Sequence, residues 1–145
     1  MVGQSQRFSQ ESRLILVDSS VWIDFFSSRP GPAGAELRRM ITADEPFALT
    51  GIVVTEILQG LVRDVAQIAH YLSLWDIIEP GGLSTYREAA AIFRQARSRG
   101  VSVTTIDALI AAVALEHGAT VFTLDKDFSR IARFTLLRLH NFPKN

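Results

Sequence analysis

Two short apolar runs that each lead to an aspartate constrain the fold of this chain most. The runs are "RLILVD" at residues 13–18 and "ATVFTLD" at residues 119–125, and both contain β-branched side chains. Runs of this kind are typical of strands that are buried on both faces of a parallel sheet. In such sheets ligands bind at the carboxyl ends of the strands, so we expect Asp18 and Asp125 to lie at a binding edge.

The segments between these runs alternate between helical and strand-like patterns. Helices are predicted in "SSVWIDFF", "AGAELRRMITAD", "IVVTEILQGL", "DVAQIAHYLSLW", "STYREAAAIFRQARSRG" and "TIDALIAAVALEHG". Short strands are predicted in "PFALTG" and "DIIEP", and a last, edge strand in "FTLLRLH". Thr85 and Glu88 have the spacing of a helix capping box. The alternation indicates an α/β fold with a mainly parallel sheet between helices on both faces.

The composition excludes several classes of protein. The 145 residues suit one domain, which we place at residues 14–140 between a polar N-terminal tail (1–13) and a C-terminal tail (141–145). The absence of cysteine excludes disulfides and thiolate metal sites. No apolar run is long enough to span a membrane, so a cytoplasmic protein is expected. Lys plus Arg and Asp plus Glu both number 15, so binding of nucleic acid through a general basic surface is not expected.

Two further acids lie on helices that are expected to face the same edge as Asp18 and Asp125. Glu56 lies in the helix after the second strand, and Asp107 begins the helix that leads to the Asp125 strand. Asp127 follows Asp125 by two residues. Crowded carboxylates raise one another's pKa unless a cation compensates, and hard oxygen ligands favour Mg²⁺ or Mn²⁺. The set therefore indicates a site for metal-dependent phosphodiester hydrolysis.

Each of these acids also has a purely structural interpretation. Asp18 suits the cap of the helix that follows it, and Thr104 with Asp107 matches a capping box. Glu56 is able to face solvent, and Asp125 and Asp127 suit a turn around Lys126. A receiver-like domain also gathers acids at strand ends. However, that class needs an acid pair after its first strand and a central aspartate, whereas "LVDSS" has one acid and "PFALTG" has none.

Three motifs resemble those of the PIN-domain ribonucleases, specifically the VapC-type toxins of bacterial type II toxin–antitoxin systems. They are "LVDSSVWIDFF", "GIVVTEILQG" and "TTIDALIAAVALEHGATVFTLDKDF", and the resemblance extends from Leu14 to about Leu139. It implies a PIN-like three-layer α/β/α fold and an endoribonuclease that uses Mg²⁺, with Mn²⁺ as a possible substitute. The implied catalytic and metal-binding quartet is Asp18, Glu56, Asp107 and Asp125. Asp127 matches an additional acid of the metal site, and Ser20 and Thr123 match small polar positions beside the acids.

The resemblance also implies partners. These are an RNA stem-loop such as a tRNA anticodon or a ribosomal loop, a second copy of the chain, and a VapB-like antitoxin that inhibits the enzyme. Candidate RNA contacts are Arg38, Arg39, Arg63, Arg94, Arg97 and Arg99. An apolar groove for an antitoxin helix would use Trp22, Phe25, Phe26, Leu58 and Leu61, although these residues suit a core equally well. A PIN-like domain that binds metal without cleaving RNA is the remaining alternative.

Overall fold

Five parallel strands form the centre of the computed structural model, which describes residues 14–143. The strands are β1 (Ile15–Val17), β2 (Phe47–Thr50), β3 (Asp76–Ile78), β4 (Thr120–Phe122) and β5 (Arg138–Leu139). Their order is β3-β2-β1-β4-β5, and every pairing is parallel. The predicted parallel sheet is therefore confirmed. The predicted N-terminal tail lies outside the described residues.

Seven helices connect the strands and cover the sheet. They are α1 (Ser19–Phe26), α2 (Pro32–Thr42), α3 (Gly51–Gln59), α4 (Val65–Leu72), α5 (Leu83–Ser98), α6 (Thr105–Glu116) and α7 (Lys126–Ala132). Helix α1 packs on α2 and α3, whereas α6 packs on α5 and α7. Because crossovers between parallel strands are right-handed, the two groups cover opposite faces of the sheet. The predicted three-layer arrangement is thus confirmed, and no helix within residues 14–143 has the length and apolarity needed to cross a membrane.

The core lies between the central strands and the apolar faces of the helices. Leu16 and Val17 of β1 and Val121 and Phe122 of β4 are all fully buried. Helix α6 has small buried residues along much of its length, which lets it lie close to α5 and the sheet. Burying one large apolar side chain contributes about 1.5–3 kcal/mol. A shift of β1 against β4 by one residue would expose these side chains, so their burial fixes the register of the two strands.

The structure differs from the sequence prediction around β4 and α5. Strand β4 ends at Phe122, and the unpredicted helix α7 follows it, with Asp125 as its N-cap. The capping box in α5 is wrong, because the helix begins at Leu83 and the Thr85 hydroxyl donates to Glu116 Oε1 over 2.8 Å. The predicted edge strand is present but has two residues. The order 3-2-1-4-5 also differs from the 2-1-3-4-5 order of receiver domains, so that alternative is wrong.

Aromatic side chains fill the space between α1, β2 and α4. The Trp22 ring is buried and lies 5.7 Å from Phe25 and 5.8 Å from Phe26, measured between ring centroids. Trp75 packs on Phe47 at 4.9 Å. Trp22 therefore belongs to the core, and its predicted place in a partner groove is wrong. Phe25 and Phe26 are partly buried against this core.

Candidate metal centre

Asp18 lies at the carboxyl edge of the sheet, directly after β1. Its backbone N–H donates to the carbonyl oxygen of Phe122 in β4 over 2.9 Å, so the parallel pairing extends to this residue. The chain leaves β1 towards β2 on one side, while β4 pairs with β1 on the other. The crevice beyond such a switch point is the usual ligand site of an open α/β sheet. The Asp18 residue is 4% exposed there.

Two hydroxyl groups hold the Asp18 carboxylate. Ser20 Oγ donates to Asp18 Oδ2 over 2.8 Å, and Thr123 Oγ1 donates to the same oxygen over 2.9 Å. Both hydroxyls also accept a backbone N–H from the loop after β4, Ser20 from Leu124 and Thr123 from Asp125, each at 2.9 Å. We call this group the hydroxyl clamp. It fixes the first acid relative to the loop that carries the last one.

Burial raises the pKa of Asp18, and the hydrogen bonds of the clamp act in the opposite direction. The hydroxyls of Ser20 and Thr123 lower the pKa, as do the backbone N–H groups of Ser19 and Ser20. These donors favour the charged carboxylate because they hydrogen-bond to it directly. No basic side chain within residues 14–143 forms an ion pair with Asp18, and burial outweighs the donors, so the pKa of Asp18 is raised overall.

Asp107, Asp125 and Asp127 form a cluster beside the clamp. One carboxylate oxygen from each lies within 4.8 Å of the others. Asp107 is 7% exposed in the first turn of α6, where its backbone N–H donates to Thr104 Oγ1 over 3.0 Å. Asp125 accepts the N–H of Asp127 over 2.9 Å as the cap of α7. The capping role that the sequence suggested at Thr104, and the cap at Asp125 that it did not suggest, therefore coexist with a cluster of carboxylates.

The pKa of Asp107 is raised to about 8, first by burial and then by its acidic neighbours. The hydrogen bond with the Asp127 side chain and the charge of Asp125 raise it further, whereas Thr104 lowers it. A protonated Asp107 relieves the repulsion between carboxylates that lie this close together. A bound divalent cation would favour the ionised form instead, so the cluster has the electrostatic character of a site built for a cation.

Glu56 reaches the same crevice from helix α3. Ser19 Oγ donates to Glu56 Oε1 over 3.1 Å. Burial raises the pKa of Glu56, and the charges of Asp18 and Asp125 raise it further, against the Ser19 hydroxyl. Glu56 therefore lies close enough to both acids for their charges to act on it. The sequence prediction missed Ser19, although the pair of serines after Asp18 in "LVDSS" was a usable signal.

One cation contacts this group of acids. Arg130 Nη1 lies 2.7 Å from Asp127 Oδ1, and within residues 14–143 this is the one ion pair made by any of the five acids. Four carboxylates from β1, α3, α6 and the loop after β4 therefore converge with hydroxyl and backbone donors as their partners. Divalent cations such as Mg²⁺ prefer carboxylate oxygens together with water and phosphate oxygens. The donor set thus fits Mg²⁺ or Mn²⁺.

Comparisons with known proteins agree with the fold described above. The profile of the family described as "PIN domain" matches residues 15–134. Ribonuclease VapC11 of Mycobacterium tuberculosis is 33% identical over 133 residues, which cover 89% of this chain and 99% of that protein. All the acids described above lie within the matched range.

Solved structures with the same fold include complexes named VapBC. VapBC2 from Rickettsia felis, bound to a DNA fragment from its promoter, superposes with a TM-score of 0.70 at 20% identity. That superposition covers 90% of this chain and 99% of the other. VapBC-5 from Mycobacterium tuberculosis, a member of the VapBC family of toxin–antitoxin systems, gives a TM-score of 0.64 at 18% identity, covering 88% and 97% of the two chains. At these identities the likeness concerns the fold.

Proposed function

Because the chain belongs to the PIN domain family, and within it to the VapC ribonucleases, we propose that it is a metal-dependent endoribonuclease and the toxin of a toxin–antitoxin system. One observation carries the proposal. Asp18, Glu56, Asp107 and Asp125 converge from separate elements without a basic side chain to neutralise them. Carboxylates this close together repel one another in the free protein. A bound cation would relieve that repulsion and would also bind the phosphate of a substrate.

The acids have distinct roles in the proposed reaction. Asp18, Asp107 and Asp125 would hold the cation, and Asp127 would support them beside Arg130. A bound Mg²⁺ or Mn²⁺ would lower the pKa of the attacking water and offset the negative charge on the phosphate. Glu56 either binds the cation as well or orients the water and accepts its proton, for which its raised pKa is suited.

The hydroxyl groups position these acids. Ser20 and Thr123 hold the Asp18 carboxylate in one orientation, and Ser19 does the same for Glu56. Partners of this kind fix the direction of metal ligands and commonly affect metal affinity when they are removed. Asp107 gives up its proton when the cation binds, so metal binding is expected to strengthen as the pH rises towards 8.

We propose a VapB-like antitoxin as the inhibiting partner. The support is the membership in the VapC family and the fold shared with a member of the VapBC toxin–antitoxin systems. A helix of the antitoxin would use the apolar side chains that remain partly accessible on α1 and near the end of α3. These are Phe25, Phe26, Leu58 and Leu61. A homodimer is proposed from the family resemblance and is checked by sedimentation of the purified chain.

The activity is tested with total bacterial RNA and antitoxin-free protein. We expect discrete products with Mg²⁺ or Mn²⁺, and none with EDTA or with the Asp107→Asn variant. Mapping the ends of the products identifies the RNA, which we expect to be a tRNA or ribosomal stem-loop. If the protein binds Mg²⁺ but yields no metal-dependent products from total RNA, a non-cleaving PIN domain is the better description.

The toxin role has its own test in cells. Expression of the wild type without an antitoxin is expected to arrest growth, and expression of Asp107→Asn at the same level is expected to be harmless. Co-expression of a cognate VapB-like antitoxin is expected to restore growth of the wild type. A wild type that leaves growth unchanged would contradict the toxin role without contradicting the nuclease.

A further inference from the structure

A groove lies between helices α5 and α6, outside the acidic crevice. Its volume is about 330 Å³, and its lining includes Tyr86, Phe93 and Arg94 from α5 with Thr105 and Leu109 from α6. Small-molecule sites in proteins have volumes of about 300–1,000 Å³. The lining combines two aromatic rings with one guanidinium and one hydroxyl, and three alanines and a leucine complete it.

This groove continues towards the acids. Phe93 also lines a second groove of about 300 Å³, together with Arg97 and the loop at residues 100–103. That loop leads to Thr104, whose hydroxyl accepts the N–H of Asp107 at the start of α6. Thr105 and Ala108, which line the groove, flank Asp107 in the first turn of α6, so the groove and the acidic crevice share this turn of the helix. A strand of RNA with a phosphate at Asp107 therefore reaches the groove with a neighbouring nucleotide.

Three arginines accompany the groove along the exposed face of α5. Arg87, Arg94 and Arg97 are spaced so that they lie on one side of the helix, and all three are exposed. Within residues 14–143 their side chains make no ion pair or hydrogen bond, unlike those of Arg39 and Arg130. Because the chain has no net charge, this stripe is a local concentration of unpaired positive charge next to an acidic site.

The chemistry of the groove favours a nucleotide over a protein helix. The Tyr86 residue is 51% exposed, so its ring is available at the rim of the groove. Unpaired bases stack on aromatic rings and on guanidinium planes, and their phosphates pair with arginine. A partner helix would also suit the apolar part of the lining, but three arginines without acidic partners complement a polyanion.

We propose that this groove binds one unpaired nucleobase of the RNA substrate beside the scissile phosphate. Tyr86 stacks on the base, and Arg94 contacts an adjacent phosphate. The groove is then a subsite that favours looped or single-stranded RNA over duplex RNA, since a paired base does not expose its face. This inference rests on the proposed function and names a substrate contact for it.

The stacking role is tested by binding, in an Asp107→Asn background that prevents cleavage. The probes are a fluorescein-labelled single-stranded RNA of mixed sequence and an abasic oligomer of the same length. Tyr86→Ala is expected to raise the Kd for RNA about ten-fold while leaving the Kd for the abasic oligomer unchanged. Tyr86→Phe keeps the ring and the affinity. Leu83→Ala, an exposed apolar truncation one turn earlier on α5, is the matched control and is expected to have no effect.

The phosphate contact is tested by salt dependence. Arg94→Gln is expected to reduce the slope of log Kd against log salt by about 0.7, the value for one phosphate contact on a single strand. Arg29→Gln is the matched control, because Arg29 is exposed beyond the end of α1 that lies away from the acids. An unchanged slope for Arg94→Gln overturns the phosphate contact.

The outcomes separate this inference from the proposed function. Equal RNA affinity for Tyr86→Ala and Leu83→Ala overturns the base site while the nuclease assignment stands. If Tyr86→Ala changes the sedimentation of the protein but not its RNA affinity, the groove is an interface between copies and the inference is wrong. If the background variant binds no RNA and the wild type cleaves none in total RNA, the proposed function fails together with the groove.

Discussion

The pKa values of two buried carboxyl groups in this molecule are shifted in opposite directions. Asp107 in α6 is 7% exposed and Glu36 in α2 is 9% exposed, so burial is nearly the same. The pKa of Asp107 is raised to about 8, whereas the pKa of Glu36 is lowered. Burial raises the pKa of both acids, but for Glu36 the partners outweigh it, whereas for Asp107 the acidic neighbours add to it.

Glu36 has an arginine and a histidine as partners. Arg39 donates to its two carboxylate oxygens over 2.8 and 2.9 Å, and His140 Nε2 lies 3.1 Å from Oε2. Asp107 instead meets Asp125 and Asp127. The fold thus compensates a buried acid where the acid has a structural role. Within residues 14–143 Asp107 makes no ion pair with a basic side chain, and we infer that a ligand supplies the compensating charge.

The comparison between Asp107 and Glu36 is tested most strongly by Asp107→Asn, for which we expect the largest effect. Cleavage of total RNA should fall about a hundred-fold or more, because a cation ligand is lost while the shape of the side chain is kept. The thermal midpoint of the metal-free protein should not fall, since asparagine replaces a side chain that burial and the acidic neighbours already favour in its neutral form. Rates are followed on gels and midpoints by scanning fluorimetry. A variant with near-wild-type cleavage would remove Asp107 from the site.

A smaller effect is expected when the hydroxyl clamp is weakened. Thr123→Val keeps the shape of the side chain but removes the donor to Asp18. The Mg²⁺ concentration for half-maximal cleavage should rise about ten-fold or more, as is common for residues that orient metal ligands. Ser129→Ala is the matched control, because this hydroxyl donates to the Lys126 carbonyl on the exposed side of α7. Equal Mg²⁺ requirements for the two variants would contradict a role for the clamp.

Glu36→Gln tests the compensated side of the comparison. It should lower the free energy of unfolding by about 1–3 kcal/mol, because charge-assisted hydrogen bonds to Arg39 and His140 are weakened. For a chain of this size each kcal/mol corresponds to a shift of about 2–4 °C in the thermal midpoint. Cleavage per folded molecule should stay unchanged. Stability equal to that of the wild type would show that the pairing of Glu36 contributes little.

The smallest effect is expected from pH. The unperturbed pKa of an aspartate is 3.8, and that of folded Asp107 is about 8. The folded protein therefore holds a proton that the unfolded chain releases, so the contribution to stability is lost as the pH rises from about 4 to about 8. Glu36 behaves in the opposite way, since its contribution is present above pH 4.5 and is lost as the pH falls through its lowered pKa.

Scanning fluorimetry with and without Mg²⁺ measures this difference. The rise in thermal midpoint on adding Mg²⁺ should be larger at pH 8 than at pH 6, by a few degrees, because the cation competes with the proton on Asp107. In Asp107→Asn the two rises should be equal. A wild-type rise that is independent of pH would show that Asp107 is ionised before the cation binds.

The sequence predicted the positions of those acids that follow a recognisable strand or lie at the start of a recognisable helix, because parallel strands bring these ends to one edge of the sheet. Asp18 follows an apolar run, and Asp107 begins a helix with a capping signal, so their approach to one edge was predictable. Helix α7 was missed because "KDFSRIA" has seven residues and is too short to display a helical period. Ser19 was missed because its bond to Glu56 spans 37 positions in the chain.

The same limit applies to the basic side chains. Arg39 was a candidate RNA contact, but it pairs with Glu36 and Glu45. Arg38 and Arg99 lie over the rings of Phe25 and Phe134. These contacts depend on how α2 and α5 pack against the elements around them. No local pattern in a single sequence predicts that packing. Tyr86 had no assigned role from the sequence and gained one from its exposure beside α6.

The hydroxyl clamp also determines when, during its synthesis, the chain acquires its acidic edge. Asp18 and Thr123 are separated by 105 positions, and Asp125 is made later still. A ribosome adds about 5–20 residues per second, so the first aspartate exists for several seconds before its partners do. A nascent chain that has not yet reached position 125 lacks Asp125, so its set of four acids is incomplete. Translation itself therefore delays the moment at which a new copy is able to attack RNA.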